Sequence, residues 1–175
     1  MYIQKCLYCL LVFLMIFAFL ACLRIRDNNA ETYSKEGQVK FELKNYYGAI
    51  EDFNKAIELK SDNPFYYMYR GATKMAVKKY YDAIEDYNKA QELIPEMGTL
   101  YLFKGQAKCW LENYSDAMKD FNKKIELDPE DGEGYFYRGG LKLDLGDLKG
   151  HCLDLRRAGE LGYIKAYKFI KQNCN

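Results

Sequence analysis

The chain repeats its own residue pattern every 34 residues. Five residue types return at that step, each of them four times. They are Tyr33, Tyr67, Tyr101 and Tyr135; Gly37, Gly71, Gly105 and Gly139; Lys40, Lys74, Lys108 and Lys142; Asp52, Asp86, Asp120 and Asp154; and Leu59, Leu93, Leu127 and Leu161. A fixed period of this length is typical of a stacked-repeat architecture, in which each unit buries its apolar face against its neighbours. Function is therefore sought on a surface shared by the repeats.

Two helical patterns separated by a short polar turn make up each repeat. In the second repeat, one pattern begins at Pro64 and ends before Lys78 and Lys79, and the other runs to Pro95. Proline is tolerated in the first turn of a helix and ends the helix that precedes it. The pattern therefore predicts an all-α fold. The repeated glycines fall in mid-helix, where each costs about 1 kcal/mol relative to alanine, so we expect close contact between helices at this register.

Small and aromatic residues alternate at helical spacing in the second helix of each repeat. Ala49, Ala83 and Ala117 are followed four residues later by Phe53, Tyr87 and Phe121, and alanine returns at Ala56, Ala90 and Ala158. With the mid-helix glycine and the boundary proline, this order resembles the tetratricopeptide repeat (TPR), a helix-turn-helix unit of this length. The resemblance implies an α–α superhelix (a solenoid) of four units at 29–62, 63–96, 97–130 and 131–162. A capping helix is expected within 163–175, from about Tyr163 to Gln172.

The first helices of TPR proteins line a concave groove that holds a peptide or an extended protein segment. The resemblance therefore implies a protein or peptide partner and a partner-binding groove of ten residues. These are Ser34, Gln38, Phe65, Met68, Ala72, Leu102, Gln106, Trp110, Phe136 and Gly140. Family members that grip acidic chaperone tails use lysine, asparagine and arginine here, so this largely apolar set argues against such a carboxylate clamp. An apolar groove suits an amphipathic helix or a segment of the protein itself.

An apolar segment precedes the repeats. Residues 7–23 contain no charged residue and lie between Lys5 and the pair Arg24 and Arg26. About 17 to 25 apolar residues span a bilayer as a helix, so residues 1–26 are interpreted as a hydrophobic anchor or signal segment. Three interpretations stay open: a retained anchor, a lipoprotein signal with Cys22 as the lipidated residue, and a cleaved secretory signal. The membrane orientation also stays open, and we expect the protein in the cell envelope.

One acid and two bases recur at the same level of successive repeats. Arg70 and Lys74 lie four residues apart on a first helix, and Asp86 falls on the second helix at a facing level. The set returns as Lys104, Lys108 and Asp120 and as Arg138, Lys142 and Asp154, with Glu36 breaking it in the first repeat. Because chemistry at one site does not need several copies, we interpret the sets as structural ion pairs. Asp86 is predicted within hydrogen-bond reach of Arg70 or Lys74.

Two cysteines and the sole histidine lie near the C-terminus. If antiparallel helices turn near Gly162, Cys152 lies opposite about residue 173, and a disulfide between Cys152 and Cys174 would attach the cap to the last repeat. In an exported body the pair is expected to oxidise, whereas a cytoplasmic body would keep both thiols reduced. His151 has no partners for a metal site, so we expect it at the surface or in a helix contact.

Charge and motifs exclude several functions. The net charge is +1, with 26 basic and 25 acidic residues, so no basic surface for nucleic acid is expected. No catalytic constellation accompanies the repeats, and we predict no enzyme activity, no metal, no cofactor and no small-molecule substrate. The sequence predicts a protein-interaction module tethered at a membrane or in the cell envelope. The alternative is a structural subunit of an envelope assembly complex that docks through its outer face.

Overall fold

The architecture is all-helical throughout the described part of the chain, which confirms the predicted fold class. The structure, a computed structural model, describes residues 29–174 together with residues 15, 16, 18, 19 and 25. Its helices are α1 (29–42), α2 (Tyr46–Leu59), α3 (Pro64–Ala76), α4 (Tyr80–Leu93), α5 (Gly98–Trp110), α6 (Tyr114–Leu127), α7 (Gly132–Asp144), α8 (Leu148–Glu160) and α9 (Lys165–Asn173). Each odd-numbered first helix from α3 to α7 packs on the second helix that follows it, and successive pairs stack.

Close packing of the two helices explains the glycines of the first three repeats. A Cβ atom at Gly37 would lie 2.9 Å from a ring carbon of Phe53, and the corresponding distance from Gly105 to Phe121 is 2.5 Å. Gly71 faces the ring of Tyr87 in the same way, at 2.6 Å. Each ring is buried between the two helices of its repeat, so a side chain at the glycine would push these helices apart. The expectation of close helix contact is confirmed.

The fourth repeat fills the same space differently. Leu155 stands where the other repeats carry a ring, and the sole histidine, His151, is buried beside it with 1% of its surface exposed. With the proton on Nδ1, His151 donates to the carbonyl oxygen of Gly139 at 2.8 Å. Its Nε2 then accepts from the side-chain amide of Asn173 at 3.3 Å. His151 is therefore a helix-contact residue, the second of the two roles expected for it.

The predicted ion pair of the second repeat is confirmed. Arg70 donates from Nε and Nη2 to the two carboxylate oxygens of Asp86 at 3.0 and 2.6 Å, and Lys74 Nζ lies 2.8 Å from the same carboxylate. Arg70 also donates from Nη1 to Asn54 of the preceding repeat at 2.7 Å. The arginine thus joins two repeats as well as two helices of one repeat.

The same contacts recur in the fourth repeat but not in the third. Arg138 binds both oxygens of Asp154 and also Asn122 of the preceding repeat. In the third repeat Lys108 pairs with Asp120 at 2.7 Å, as expected. Lys104 does not join that pair, because its ammonium instead donates to Gln91 of the preceding repeat at 2.5 Å. A lysine lacks the planar fork with which arginine reaches two partners at once.

The turn between the two helices of each repeat also follows the 34-residue step. Lys44, Lys78, Glu112 and Gly146 all have positive φ, between 58° and 81°. Only the fourth position carries glycine, the residue that adopts this conformation without steric cost. Asparagine or aspartate caps most of the following helices, as Asn113 does by accepting from the backbone N–H of Asp116.

The C-terminal helix α9 packs on α8 and is attached to it at both ends. It begins at Lys165, two residues later than expected. Tyr167 donates from its hydroxyl to the carbonyl oxygen of Gly159 at 3.0 Å. Just beyond α9, Cys174 is disulfide-bonded to Cys152 of α8, with 5.5 Å between their Cα atoms. The last residues of the described chain are thereby fixed against the last repeat.

Most of the N-terminal apolar segment, including Cys22, lies outside the described residues. Met15, Ile16, Phe19 and Ile25 are described as helical and exposed. In the described part of the chain, no helix has both the length and the apolar character that a membrane crossing requires. The anchor, lipoprotein and signal interpretations therefore stay predictions.

Candidate partner-binding site

A cleft of about 520 Å³ opens between the first helices of the third and fourth repeats, α5 and α7. Helix α9 supplies Phe169 as an additional wall, and α6 and α8 form the floor through Phe121, His151 and Leu155. The remaining lining residues are Gln106, Cys109, Trp110, Phe136, Tyr137, Gly140, Leu141, Leu143 and Asp144. Most of these side chains are apolar or aromatic, as is usual for a ligand cleft. This cleft is called the large cleft below.

A smaller cavity of about 150 Å³ lies between the first helices of the first and second repeats, α1 and α3. It is called the small cavity. Its lining residues correspond, at a step of 68 residues or two repeats, to residues of the large cleft. The pairs are Gln38 and Gln106, Phe41 and Cys109, Glu42 and Trp110, Phe53 and Phe121, Tyr69 and Tyr137, Ala72 and Gly140, and Thr73 and Leu141.

Two substitutions within this correspondence remove side-chain volume from the large cleft. Cys109 replaces the bulky Phe41, and Gly140 replaces Ala72. A Cβ atom at Gly140 would meet no other atom within 4 Å, so this glycine faces open space. The fourth repeat therefore carries two adjacent glycines with opposite surroundings, since Gly139 is packed against Asp154.

The level between the two cavities is filled. Met75 and Phe103 pack against the buried ring of Tyr87, and the Tyr87 and Phe103 ring centroids lie 5.5 Å apart. These two residues occupy the positions of Cys109 and Tyr137, one repeat earlier. The first-helix face, by which we mean the surface of α1, α3, α5 and α7 that carries both cavities, thus has packed side chains between its two open levels.

Six of the ten predicted groove residues line these two cavities. Gln106, Trp110, Phe136 and Gly140 come together in the large cleft, and Gln38 and Ala72 in the small cavity. Trp110 is 67% exposed and stacks on Tyr80, with the two ring planes 4° apart. An exposed, pre-stacked indole is a rigid apolar surface for a partner.

The other four predicted residues lie elsewhere, and two of them are buried. Leu102 is 1% exposed and packs with Phe121 and Leu141 in the core, so its inclusion in the groove is wrong. Ser34 is also buried, at 3% exposure, where it accepts from the side-chain amide of Gln38. Phe65 is exposed and Met68 is half-buried, and neither lines the large cleft or the small cavity.

The thiol of Cys109 has a perturbed pKa in the large cleft. Burial, helped by the nearby carboxylate of Asp144, raises the pKa of the Cys109 thiol to about 11. The thiol is therefore protonated at neutral pH and is a poor nucleophile. Within the described residues, no group of histidine, cysteine and acidic side chains is arranged to hold a metal ion. The cleft can exclude water from an apolar side chain, and Asp144 and Gln106 can orient polar groups beside it.

Sequence reasoning missed Phe169 and Asp144 in this site. Phe169 belongs to the cap, outside the 34-residue pattern, so no repeat position pointed to it. Asp144 occupies the register of Trp110, and only the cleft geometry distinguishes it from an ordinary surface acid.

Comparison with known proteins agrees with this architecture. Residues 30–63 match the family model of the tetratricopeptide repeat. No curated protein matches the chain in sequence. A crystal structure of MamA superposes with a TM-score of 0.71 at 22% identity, covering 87% of this chain and 89% of that chain.

TPR domains of two other proteins are similar in structure as well. The TPR domain of Arabidopsis OM64 has a TM-score of 0.64 at 24% identity, covering 67% of this chain and 97% of that chain. The first TPR domain of Spaghetti (RPAP3), bound to the HSP90 peptide SRMEEVD, has a TM-score of 0.65 at 24% identity, covering 69% of this chain and 95% of that chain. At such identities the likeness establishes the fold of the chain and nothing further.

Proposed function

We propose that this chain, which has the fold of tetratricopeptide-repeat proteins, is a non-enzymatic protein-interaction module that binds a partner segment in its large cleft. The observation that carries the proposal is the cleft itself, about 520 Å³ between α5 and α7, lined mainly by apolar and aromatic side chains. A protein of this kind binds by burying a few apolar anchors of its partner in well-packed pockets. The solved relative that holds an HSP90 peptide supports peptide binding as the general activity of such a scaffold.

The cleft favours an apolar partner segment over an acidic tail. The peptide in the RPAP3 complex has the sequence SRMEEVD and is therefore acidic. In this chain, no lysine or arginine lines the large cleft, and its charged lining residue is the acid Asp144. A carboxylate ligand would meet repulsion there rather than the bases that it requires.

We further propose that the N-terminal segment tethers the module at a membrane, in the cell envelope. The support is the run of residues 7–23 without a charged side chain. Intact-mass measurement of the protein purified from membranes separates the three interpretations. A retained anchor leaves the full mass, a cleaved signal removes the segment, and lipidation adds acyl mass at Cys22 as the new N-terminal residue.

Cleft occupancy is tested by in-cell crosslinking and co-purification of the full chain. Gly140→Trp fills the open space at Gly140, so partner capture should fall at least tenfold. Gly140→Ala is the matched control, because one methyl group in open space leaves most of the cleft free. Equal capture by wild type and Gly140→Trp, with both proteins folded, would refute binding in the large cleft.

The alternative function is that of a structural subunit that docks through its outer face. Tyr47 and Tyr81 favour it, because these aromatic residues lie one repeat apart in the first turns of α2 and α4 and are 66% and 73% exposed. The third repeat has Ser115 at this register, so Tyr47→Ser and Tyr81→Ser introduce a residue that the chain already carries at the equivalent position. If the alternative holds, this double variant loses the partner that Gly140→Trp retains.

A further inference from the structure

Each of the two cavities on the first-helix face has one carboxylate in its lining and no lysine or arginine. In the large cleft the carboxylate is that of Asp144, and His151 is buried there with both ring nitrogens already hydrogen-bonded. In the small cavity the carboxylate is that of Glu42. Asp144 and Glu42 occupy the same register, three repeats apart, near the ends of α7 and α1. Neither carboxylate forms an ion pair with a described residue.

The lysines and arginines of the first helices are paired with residues that line neither cavity. Within the described ranges, every lysine and arginine on α1, α3, α5 and α7 already has an acidic or amide partner. They are Lys35, Lys40, Arg70, Lys74, Lys104, Lys108, Arg138 and Lys142. The partners of six of these bases are acidic residues of the second helices. Neither cavity lining therefore contains a lysine or arginine that would pair with its carboxylate.

Asp144 and Glu42 are both exposed residues, so each carboxylate is accessible to a partner that seats a side chain in the adjoining cavity. Asp144 and Cys109 line the same cleft, and the carboxylate adds to the effect of burial in raising the pKa of the Cys109 thiol. A cationic group next to an apolar anchor could therefore pair with Asp144, with the modest gain that is typical of an exposed ion pair. The face of Trp110, exposed at the same rim, can attract the same cation.

We propose that the two cavities bind two apolar anchors of one partner segment, and that a lysine or arginine lies next to each anchor. The proposal rests on the function proposed above and specifies the partner's chemistry: an apolar and basic protein segment. The large cleft takes one anchor beside Asp144, and the small cavity takes the other beside Glu42. Met75 and Phe103 fill the level between them, so the residues linking the two anchors cross that level without inserting a side chain.

The spacing of the anchors follows from helix packing. The two cavities are two repeats apart, which corresponds to two steps between neighbouring first helices, or about 16 to 20 Å at typical interaxial distances. An extended chain covers about 3.3 Å per residue, so the two anchors would be separated by about five or six residues. A segment of eight to ten residues therefore suffices to reach both cavities.

A random 12-residue peptide library displayed on phage and selected on the full chain in detergent micelles tests the partner chemistry. The selected peptides should combine an aliphatic or aromatic anchor with an adjacent lysine or arginine, and many should carry a second such pair five or six residues away. Selected peptides that are acidic or uncharged would overturn the proposal. A selection that yields no binding peptide would overturn it as well.

Charge variants then test the two carboxylates on one selected peptide. Asp144→Asn and Glu42→Gln should each weaken binding about two- to fivefold at low salt, the range for one partly exposed ion pair. The effect should shrink at 300 mM salt, because ions screen exposed charges. Glu85→Gln is the matched control, since it removes one exposed acid of α4 that lines neither cavity. Affinities unchanged in both cavity variants contradict the proposal.

The proposed function and this inference fail in different ways. If Gly140→Trp abolishes binding of selected peptides that contain no base, the large cleft is the binding site and only the inference is wrong. If Gly140→Trp leaves peptide binding intact while the protein remains folded, the proposed function fails and the inference fails with it.

Discussion

Phe169 of the C-terminal helix contacts Phe136 of the fourth repeat edge to face, with the ring centroids 5.5 Å apart, and both rings line the large cleft. The cap is therefore part of the candidate site as well as a cover for the last repeat. Tyr163, just before α9, also contacts Phe136, with the ring centroids 4.9 Å apart. Anything that holds α9 in place also holds one wall of the cleft.

Loss of the disulfide should destabilise the protein and loosen this wall. Cys152 and Cys174 are 22 residues apart, and a crosslink over a loop of that length contributes about 3 kcal/mol to the free energy of unfolding. Cys174→Ser should therefore lower that free energy by about 3 kcal/mol in urea unfolding without reductant. Amide hydrogens of α9 should also exchange faster, because the helix end is released.

The reduced wild-type protein is the control for this prediction. With reductant present, wild type and Cys174→Ser should unfold at nearly the same urea concentration. Non-reducing mass mapping of protein taken directly from membranes gives the decisive result. If Cys152 and Cys174 are both found as free thiols there, the disulfide does not form in the cell and the body does not face an oxidising compartment.

Two glycines with opposite surroundings should respond in opposite ways to alanine. At Gly105 the new methyl carbon would lie 2.5 Å from Cε1 of Phe121, so the buried ring must move. We expect Gly105→Ala to lower the free energy of unfolding by about 1 to 3 kcal/mol. Gly140→Ala meets no atom within 4 Å in mid-helix and should raise it by about 0.5 to 1 kcal/mol. Urea unfolding of both variants measures the difference. A Gly105→Ala protein as stable as wild type would contradict the packing argument.

Asp154 should contribute part of the acid sensitivity of the fold. Burial tends to raise the pKa of this carboxyl, but hydrogen bonds from Arg138 and Lys142 outweigh it and hold the pKa below its usual value of 3.8. A carboxyl with a depressed folded-state pKa stabilises the protein above its unfolded pKa, and this stability is lost as the pH falls through the folded value. The contribution is therefore complete at pH 7, begins to fall as the pH nears 3.8, and is lost as the pH falls through the lower folded-state pKa.

Asp154→Asn tests this pH dependence. At pH 7 the variant should lose about 2 kcal/mol, because it leaves two half-buried bases without their buried carboxylate. As the pH falls below 3.8, wild type should approach the variant, since protonation removes the same charge. Asp62→Asn, at an exposed position between α2 and α3, should follow wild type throughout. A stability difference that stays constant from pH 7 to pH 2 is inconsistent with the assignment.

The residues that recur were predictable from the sequence, whereas residues whose neighbours change from repeat to repeat were not. Gly37, Gly71 and Gly105 each have an aromatic residue 16 positions later, so one physical reason explained all three. Leu102 shares its register with Phe136, yet Leu102 packs under Leu141 and is buried, while Phe136 lines the cleft. The register fixes where a backbone position lies, but the size of its neighbours decides whether its side chain reaches the surface.

In the third repeat, a long side chain replaces a small one, and the facing residue is correspondingly smaller. Lys124 replaces the alanine found at Ala56 and Ala90, and it is 2% exposed with Nζ 2.6 Å from both Asp128 and Asp131. Hydrogen bonds to these two aspartates raise the pKa of Lys124 even though burial opposes this. Room for the long side chain comes from Gly134, whose Cβ position lies 3.0 Å from Cγ of Lys124.

The preceding repeat has the opposite arrangement, with Ala90 packed against Leu100 at the two equivalent positions. Lys124→Ala alone should lower the free energy of unfolding by about 2 to 4 kcal/mol, because it leaves a cavity and removes the partner of two aspartates. Gly134→Leu alone should also destabilise, since the leucine would overlap Lys124. The double variant reproduces the alanine–leucine pair and should recover at least 1 kcal/mol relative to the sum of the single changes. Urea unfolding of the four proteins gives this coupling energy. If the two single changes in the free energy of unfolding simply add, side-chain size at one position does not compensate for size at the other.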